Sequence, residues 1–253
     1  MGKRFNGKVV LVTGGGSGIG RATAVAFARE GAQVVVSGRD EEKLRQTVKE
    51  IEAEGGAAGS VVADVGVGAE VEGLVAETVR RHGKLDIAFN NAGVLGSPAP
   101  AADLDEDDFD TVMRTNLTGT WLSMKHEIAQ MRSGGGGVIV NMASNIGAHG
   151  RLPGMAAYAA SKAAVSALTR TAARDHIAEG VRINAVSPGA TDTEMSLWPG
   201  ETEAGRADRL GAAIPLGRVG AVDEIAAAVL WLASEEATFV VGHDLVLDGG
   251  ATA

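Results

Sequence analysis

Cysteine is absent from the 253 residues, which excludes a disulfide framework and thiolate chemistry and suits a reducing compartment. Aromatic residues make up only 4%, with one Tyr in the whole chain, and Pro occurs six times. The longest apolar run, residues 225–233, is nine long, whereas a membrane span needs about 20. The first residues hold no apolar stretch of the kind that leads a secreted chain. A soluble, cytoplasmic protein is expected. Positive charge is also short: 23 Lys and Arg face 32 Asp and Glu, a net charge of −9. That argues against nucleic acid as a partner, because such binding rests on basic patches. The Arg80-Arg81-His82 cluster reads instead as dipole complementation at a solvated helix end.

Glycine is plentiful. The 36 Gly residues are about twice the usual share of roughly 7%. No G-x-y repeat runs through them, and 45% hydrophobic residues are too many for a disordered chain. Tight turns and close backbone approaches remain as their use. Two periodicities alternate along the chain. Apolar, β-branched runs lie at 9–13, 34–37, 60–63, 85–89, 137–142, 181–186 and 244–247. Amphipathic stretches lie between them, at about 18–30, 41–54, 68–82, 106–131, 153–178 and 222–234. Continuously apolar strands are buried on both faces, as parallel strands under helices are. The expectation is an α/β, doubly wound Rossmann fold, a seven-stranded parallel sheet with helices on both faces, in one domain over 1–253. Residues 188–221 break the rhythm with Pro188, Pro199 and Pro215. Following a strand's carboxyl end, they form a candidate substrate lid; a surface insertion is the plainer alternative. The Gly134 to Gly137 run reads as an ordinary helix-to-strand turn.

Between the first strand and first helix stands Thr13-Gly14-Gly15-Gly16-Ser17-Gly18-Ile19-Gly20. Amides and the dipole of a helix N-terminus there suit a phosphate, with Gly14, Ser17, Gly18, Ile19 and Gly20 as the candidate cradle. The spacing is T-G-x-x-x-G-x-G rather than G-x-G-x-x-G, and no Walker Lys follows. Where an acid on the second strand would bind the ribose 2′-hydroxyl of NAD, the chain has Gly38 followed by Arg39. An Arg suits a 2′-phosphate, so NADP is favoured over NAD; a solvated residue at a helix entry is the alternative for Arg39.

Tyr158 and Lys162 stand at i and i+4, on one helical face. A cation beside a phenol favours phenolate and lowers its pKa from about 10, which makes Tyr158 a candidate general acid/base. Alone, such a pair is as well read as a solvated surface feature. Ser144, just past the fifth strand, is better read as a hydrogen-bond donor to a substrate oxygen than as a nucleophile, because the elbow G-x-S-x-G is missing. The five His residues show no metal-ligand spacing, so no metal is expected.

These residues, with Asp64-Val65, Asn90-Asn91-Ala92-Gly93, Asn116, and Ser187-Pro188-Gly189 running to Thr193, give the chain a resemblance to the short-chain dehydrogenase/reductases over essentially its whole length. The resemblance implies hydride transfer between a nicotinamide and a ketone or secondary alcohol, with Tyr158 handling the proton. Asp64 would bind the adenine amine and Val65 would offer backbone contact. Asn90, Asn91, Ala92 and Gly93 would line the adenosine ribose, although Asn91 also suits pinning neighbouring strands. Lys162 would hold the nicotinamide ribose and lower the Tyr158 pKa. Ser144 would polarise the carbonyl, and Asn116 would position a water that relays protons from Lys162; a satisfied core Asn is the other reading. Pro188, Gly189, Thr191 and Thr193 would border the nicotinamide. Three loops would then set the substrate. They offer Val94, Leu95 and Ser97, then Asn145, His149, Leu152 and Met155, then Ala190, Met195, Leu197 and Trp198. Asn145, His149, Met195 and Trp198 are the candidate substrate contacts, with a solvent-facing loop position as the alternative for His149. A compact, largely apolar, small-molecule carbonyl is the default substrate. A 3-oxoacyl thioester on an acyl carrier protein is the rival; it would need a basic patch, for which Arg151, Arg206, Arg209 and Arg218 are candidates. A catalytically silent nucleotide-binding protein is the remote alternative. The resemblance also implies a homotetramer built on the two long helices and the C-terminal segment.

Overall fold

The computed structural model describes residues 3–197 and 200–253. Seven strands form one parallel sheet: β1 (Val9–Thr13), β2 (Gln33–Gly38), β3 (Ala57–Val62), β4 (Ile87–Asn90), β5 (Gly137–Met142), β6 (Val181–Pro188) and β7 (Asp244–Leu247). Their spatial order is β3-β2-β1-β4-β5-β6-β7. The chain moves outward from β1 in one direction, then crosses to β4 and moves outward in the other. That reversal opens a crevice past the carboxyl ends of β1 and β4, the place where such sheets bind ligands. Register places Thr13 beside Asn90, and Asn90 beside Asn141, so the three strand ends lie level.

Helices α1 (Gly18–Arg29), α2 (Glu41–Ala53), α3 (Gly68–His82), α4 (Glu106–Val112), α5 (Gly119–Ser133), α7 (Ala156–His176) and α9 (Val222–Ala233) cover the sheet. A short, irregular α6 (Asn145–Ala148) leaves β5, and α8 (Glu203–Gly211) lies in the segment before α9. Two large apolar clusters fill the two sides of the sheet. Val10, Val12, Phe27, Val34, Phe89 and Leu232 belong to one, and Leu11, Val35, Ala88, Ile139, Met131 and Ile183 to the other. Neighbouring strand residues thus serve opposite cores, which is why the strands are apolar without alternation.

The long helix expected over 106–131 is divided. A π-helical stretch, Met113–Thr118, separates α4 from α5 and contains Asn116. Such a widened turn is frequent at functional sites. The 188–221 segment holds α8 and one 3₁₀ turn, Glu194–Ser196, and a parallel bridge between Thr191 and Gly220 ties its two ends together.

A polar network crosses the core beneath α5. Asn90 Nδ2 donates to Glu127 Oε2 at 2.9 Å and to Asn141 Oδ1 at 3.0 Å, and Asn141 Nδ2 donates to Thr169 Oγ1 at 2.9 Å. Glu127 is fully buried, and burial pushes its carboxyl up to about 7 against the opposing bond from Asn90.

Candidate active site

The crevice is a cleft of about 410 Å³. One half is walled by the glycine loop through Gly14, Ser17, Gly18 and Ile19, with Asn91, Ala92 and Gly93 from beyond β4. The other half is walled by Ser144, Asn145, Tyr158 and Lys162, and by Pro188, Gly189, Thr191, Thr193 and Met195.

Ser17 takes the N-cap position of α1, yet its side chain makes no capping bond. The first-turn amides, four of which have no partner within any α-helix, therefore face the cleft uncapped by side chain, which fits the anionic pyrophosphate of a dinucleotide. The glycines earn their places by packing rather than by ligand approach alone. A Cβ at Gly20 would lie 2.2 Å from Gly14 O, and one at Gly14 would lie 2.7 Å from Asn91 Nδ2 and would sit on a backbone with φ +64°. Gly20 itself does not line the cleft. Asn91 holds this loop through Nδ2, which donates to Thr13 O at 3.0 Å and to Gly14 O at 3.2 Å. Its strand-pinning reading is the one its amide serves. Gly18 faces Thr193, whose methyl would be 3.3 Å from an added Cβ, so the loop and the segment after β6 meet across the cleft.

At the reacting end, Ser144 and Tyr158 line the same wall of the cleft, and Ser144 stands near enough to favour the phenolate of Tyr158. Ser144 Oγ also accepts from Ile146 N at 3.2 Å, which orients the hydroxyl at the start of α6. Lys162 Nζ lies 5.8 Å from the centre of the Tyr158 ring and donates to Met142 O at 2.8 Å. Burial brings the ammonium down to about 8. The expected lowering of the phenol by Lys162 does not occur. Burial raises Tyr158 above its ordinary value, and the neighbouring Ser144 only partly opposes it. The i, i+4 spacing places the ammonium 5.8 Å from the centre of the ring, and desolvation disfavours phenolate.

Other expected residues lie elsewhere. Asn116 is fully buried; its Oδ1 accepts from Val94 N at 2.8 Å, while Nδ2 donates to Val94 O at 2.9 Å and Ser161 Oγ at 3.1 Å. The carboxamide is thus a brace between the loop after β4 and α7, not a side chain that reaches the cleft. His149 is corrected more sharply. Its Nε2 is 2.9 Å from Asp244 Oδ2 and it does not line the cleft, because a buried carboxylate draws it away from the substrate side. Arg39 is exposed just past β2, and Asp64, past β3, accepts from Gly66 N at 2.8 Å; both stand outside the cleft walls, as does the buried Val65. Trp198 lies outside the described residues. Ile146 and Leu210 also line the cleft and were missed. Leu210 stands in a strongly charged helix, Glu203–Gly211, so no local pattern distinguishes it from a solvated face.

Leu95, Ile146, Leu152, Met155 and Leu210 make the substrate end apolar. The four arginines considered for a basic patch are each engaged. Arg206 is buried and pairs with Asp192, Arg209 makes a two-pronged pair with Glu201 at 2.7 Å, Arg218 pairs with Glu224 at 2.8 Å, and Arg151 donates to Gly150 O at 2.8 Å.

A family model described as Enoyl-(Acyl carrier protein) reductase matches residues 14–252. A 2,5-dichloro-2,5-cyclohexadiene-1,4-diol dehydrogenase from Sphingobium indicum is 41% identical, with 98% of each chain covered. A 3-oxoacyl-acyl-carrier-protein reductase from Thermotoga maritima is 38% identical, also with 98% of each covered. Among solved structures, levodione reductase superposes with a TM-score of 0.93 at 38% identity, covering 98% of this chain and 99% of its own. With the cleft, the parallel sheet and these relatives in agreement, the chain belongs to the short-chain dehydrogenase/reductase family of oxidoreductases.

Proposed function

We propose that the protein is an NADP-dependent oxidoreductase that interconverts a compact, apolar ketone and the secondary alcohol. The observation that carries this reading is that Ser144, Tyr158 and Lys162, with Lys162 Nζ 5.8 Å from the centre of the Tyr158 ring, share one cleft with the uncapped start of α1. Gly14, Ser17, Gly18 and Ile19 would hold the pyrophosphate, and Lys162, Pro188, Gly189, Thr191 and Thr193 would border the nicotinamide end. When bound, the nicotinamide supplies or accepts the hydride. Ser144 donates to the carbonyl oxygen and fixes its direction. Tyr158 gives that oxygen its proton during reduction. A phenol whose pKa is raised is protonated at neutral pH, which is the form that reduction requires. Lys162, held on Met142 O, keeps a positive charge beneath the developing negative one. The segment 188–221 acts as a lid, and Asn145 and Met195 contact the substrate.

An apolar cleft end and the cyclic alcohol named for one relative favour a ring ketone over an acyl carrier protein. Pairing of Arg206, Arg209 and Arg218 with carboxylates weakens the case for the basic docking patch that an acidic carrier needs. The test is turnover of NADPH or NADH against cyclic ketones, diketones and 3-oxoacyl thioesters, followed by absorbance. Absence of turnover with every carbonyl overturns the proposal in favour of a silent nucleotide-binding protein. Preference for the carrier-bound thioester selects the rival.

Selection of NADP rests on exposed Arg39 beside Gly38, with no carboxylate on the end of β2 to repel a 2′-phosphate. Replacing Arg39 by Ala should weaken NADPH binding about tenfold, the equivalent of about 1.4 kcal/mol, and leave NADH binding unchanged. Equal weakening of both in a fluorescence titration overturns the assignment. Exposed Trp121 and Phe109 on α5 and α4, with Phe239 near the C-terminus, support assembly as a homotetramer. Sedimentation should give four copies per particle. No described helix is long and apolar enough to cross a membrane, and the lack of Cys suits a cytoplasmic location.

A further inference from the structure

Asp244, on the edge strand β7, touches neither half of the cleft, yet it is bonded to three elements that carry the proposed chemistry. Its side chain is 1% exposed. Oδ2 accepts from His149 Nε2 at 2.9 Å and from Ser166 Oγ at 2.6 Å, and Oδ1 accepts from Ser187 Oγ at 2.6 Å. Arg170 adds a guanidinium nitrogen at 4.0 Å. Burial by itself would raise this carboxyl, but the bonds from Ser166, Ser187 and His149 hold it below the usual carboxylate range.

Each donor has a catalytic neighbour. Ser166 lies one helical turn after Lys162 on α7, and Ser187 immediately precedes Pro188 and Gly189 on the cleft wall. His149 closes the turn that Ser144 opens. That turn cannot support itself, since Ile146 and Gly147 are not helical inside it. It also lies directly on α7: a Cβ at Gly147 would meet Ala163 N at 2.8 Å and Ala159 O at 3.0 Å. Ser144 caps one end and the His149 to Asp244 bond fastens the other.

We propose that Asp244 is a positioning residue that, through His149 and Ser166, sets Ser144 relative to Lys162 and Tyr158. The inference rests on the oxidoreductase reading of the same cleft. A buried carboxylate suits this task because it can accept from several donors at once, and each bond to a charged acceptor is stronger than a neutral one. Displacing a reacting group by about 1 Å can cost on the order of a hundredfold in rate.

The test uses the full-length protein, NADPH and the fastest carbonyl of the panel above. His149→Ala should lower kcat about tenfold and leave the NADPH dissociation constant within twofold. His149→Gln, whose amide can donate to Asp244, should recover most of that loss. Asp244→Asn should lower kcat at least as far as His149→Ala. If Asp244→Asn does not fold, the two His149 variants decide alone. Values of kcat within twofold of the parent in His149→Ala, or an equal loss in His149→Gln and His149→Ala, overturn the proposal. Tyr158→Phe measured in parallel separates the two levels: its retention of activity sinks the reading of the cleft, whereas its loss with intact His149→Ala sinks only the role of Asp244.

Discussion

Tyr158→Phe should lower kcat by about a thousandfold while NADPH binds within twofold of its parent affinity. The substitution removes one hydroxyl and keeps the ring that packs over Lys162 Nζ, 5.8 Å away. General acid/base groups contribute roughly a hundredfold to ten-thousandfold, and this hydroxyl shares the cleft wall with Ser144. Its loss therefore removes the proton donor. The effect should have a direction. Burial raises the phenol, so reduction proceeds from the abundant protonated form at neutral pH, whereas alcohol oxidation needs the rare phenolate and should quicken as pH rises. Stopped-flow measurement of both directions between pH 6 and about pH 9 checks this. A Tyr158→Phe enzyme within tenfold of the parent, or oxidation that slows as pH rises, contradicts the role assigned to Tyr158.

The second large effect concerns stability. Glu127, on the buried face of α5, has one hydrogen-bond donor, Asn90, and its Oε1 has no partner among the described residues. Burial lifts its carboxyl from 4.5 to about 7. Between those values the folded state holds a proton that the unfolded chain releases, so stability falls as pH rises through this window and levels off above it. The span corresponds to about 3 kcal/mol. Glu127→Gln keeps an acceptor for Asn90 and does not titrate. It should be more stable than the parent at pH 8 by about 2 kcal/mol, with the difference shrinking toward pH 5. Urea unfolding of both proteins across that range is the measurement; parallel pH dependences would show that Glu127 is not the titrating group. The surface carboxylates of Glu77 and Glu224, lowered to about 2 by Arg80 with Arg81 and by Arg218, act in the opposite sense and below that window, since their stabilisation is lost as acid protonates them.

Much of the architecture was readable because burial on both faces leaves a local signature. Val9–Thr13, Gly137–Met142 and Asp244–Leu247 occur as strands at the expected residues, and helix α3 spans the expected 68–82. The break at Met113–Thr118 was not readable, since six residues are too few for a change of hydrogen-bond partner from i−4 to i−5 to stand out in the apolar spacing. Chain order and motif spacing likewise sufficed to nominate Ser144, Tyr158 and Lys162, which the fold brings into one cleft with the glycine loop. His149 and Asn116 were nominated by the same means and serve other partners, Asp244 for one and Val94 with Ser161 for the other.

The sequence by itself determined the alternation of strand and helix, the parallel sheet, and which residues could carry hydride chemistry, because each depends on periodicity or on side-chain type. Only tertiary structure decided what those side chains face. Strand β7 is the last element to pair, over 90 residues after His149, yet its Asp244 turns that imidazole from the cleft. Desolvation, a property of the whole surrounding fold, raises Tyr158 where the neighbouring Lys162 alone would lower it. The absence of Cys excluded thiolate chemistry from the start; the position of one buried carboxylate could be learned only from the folded chain.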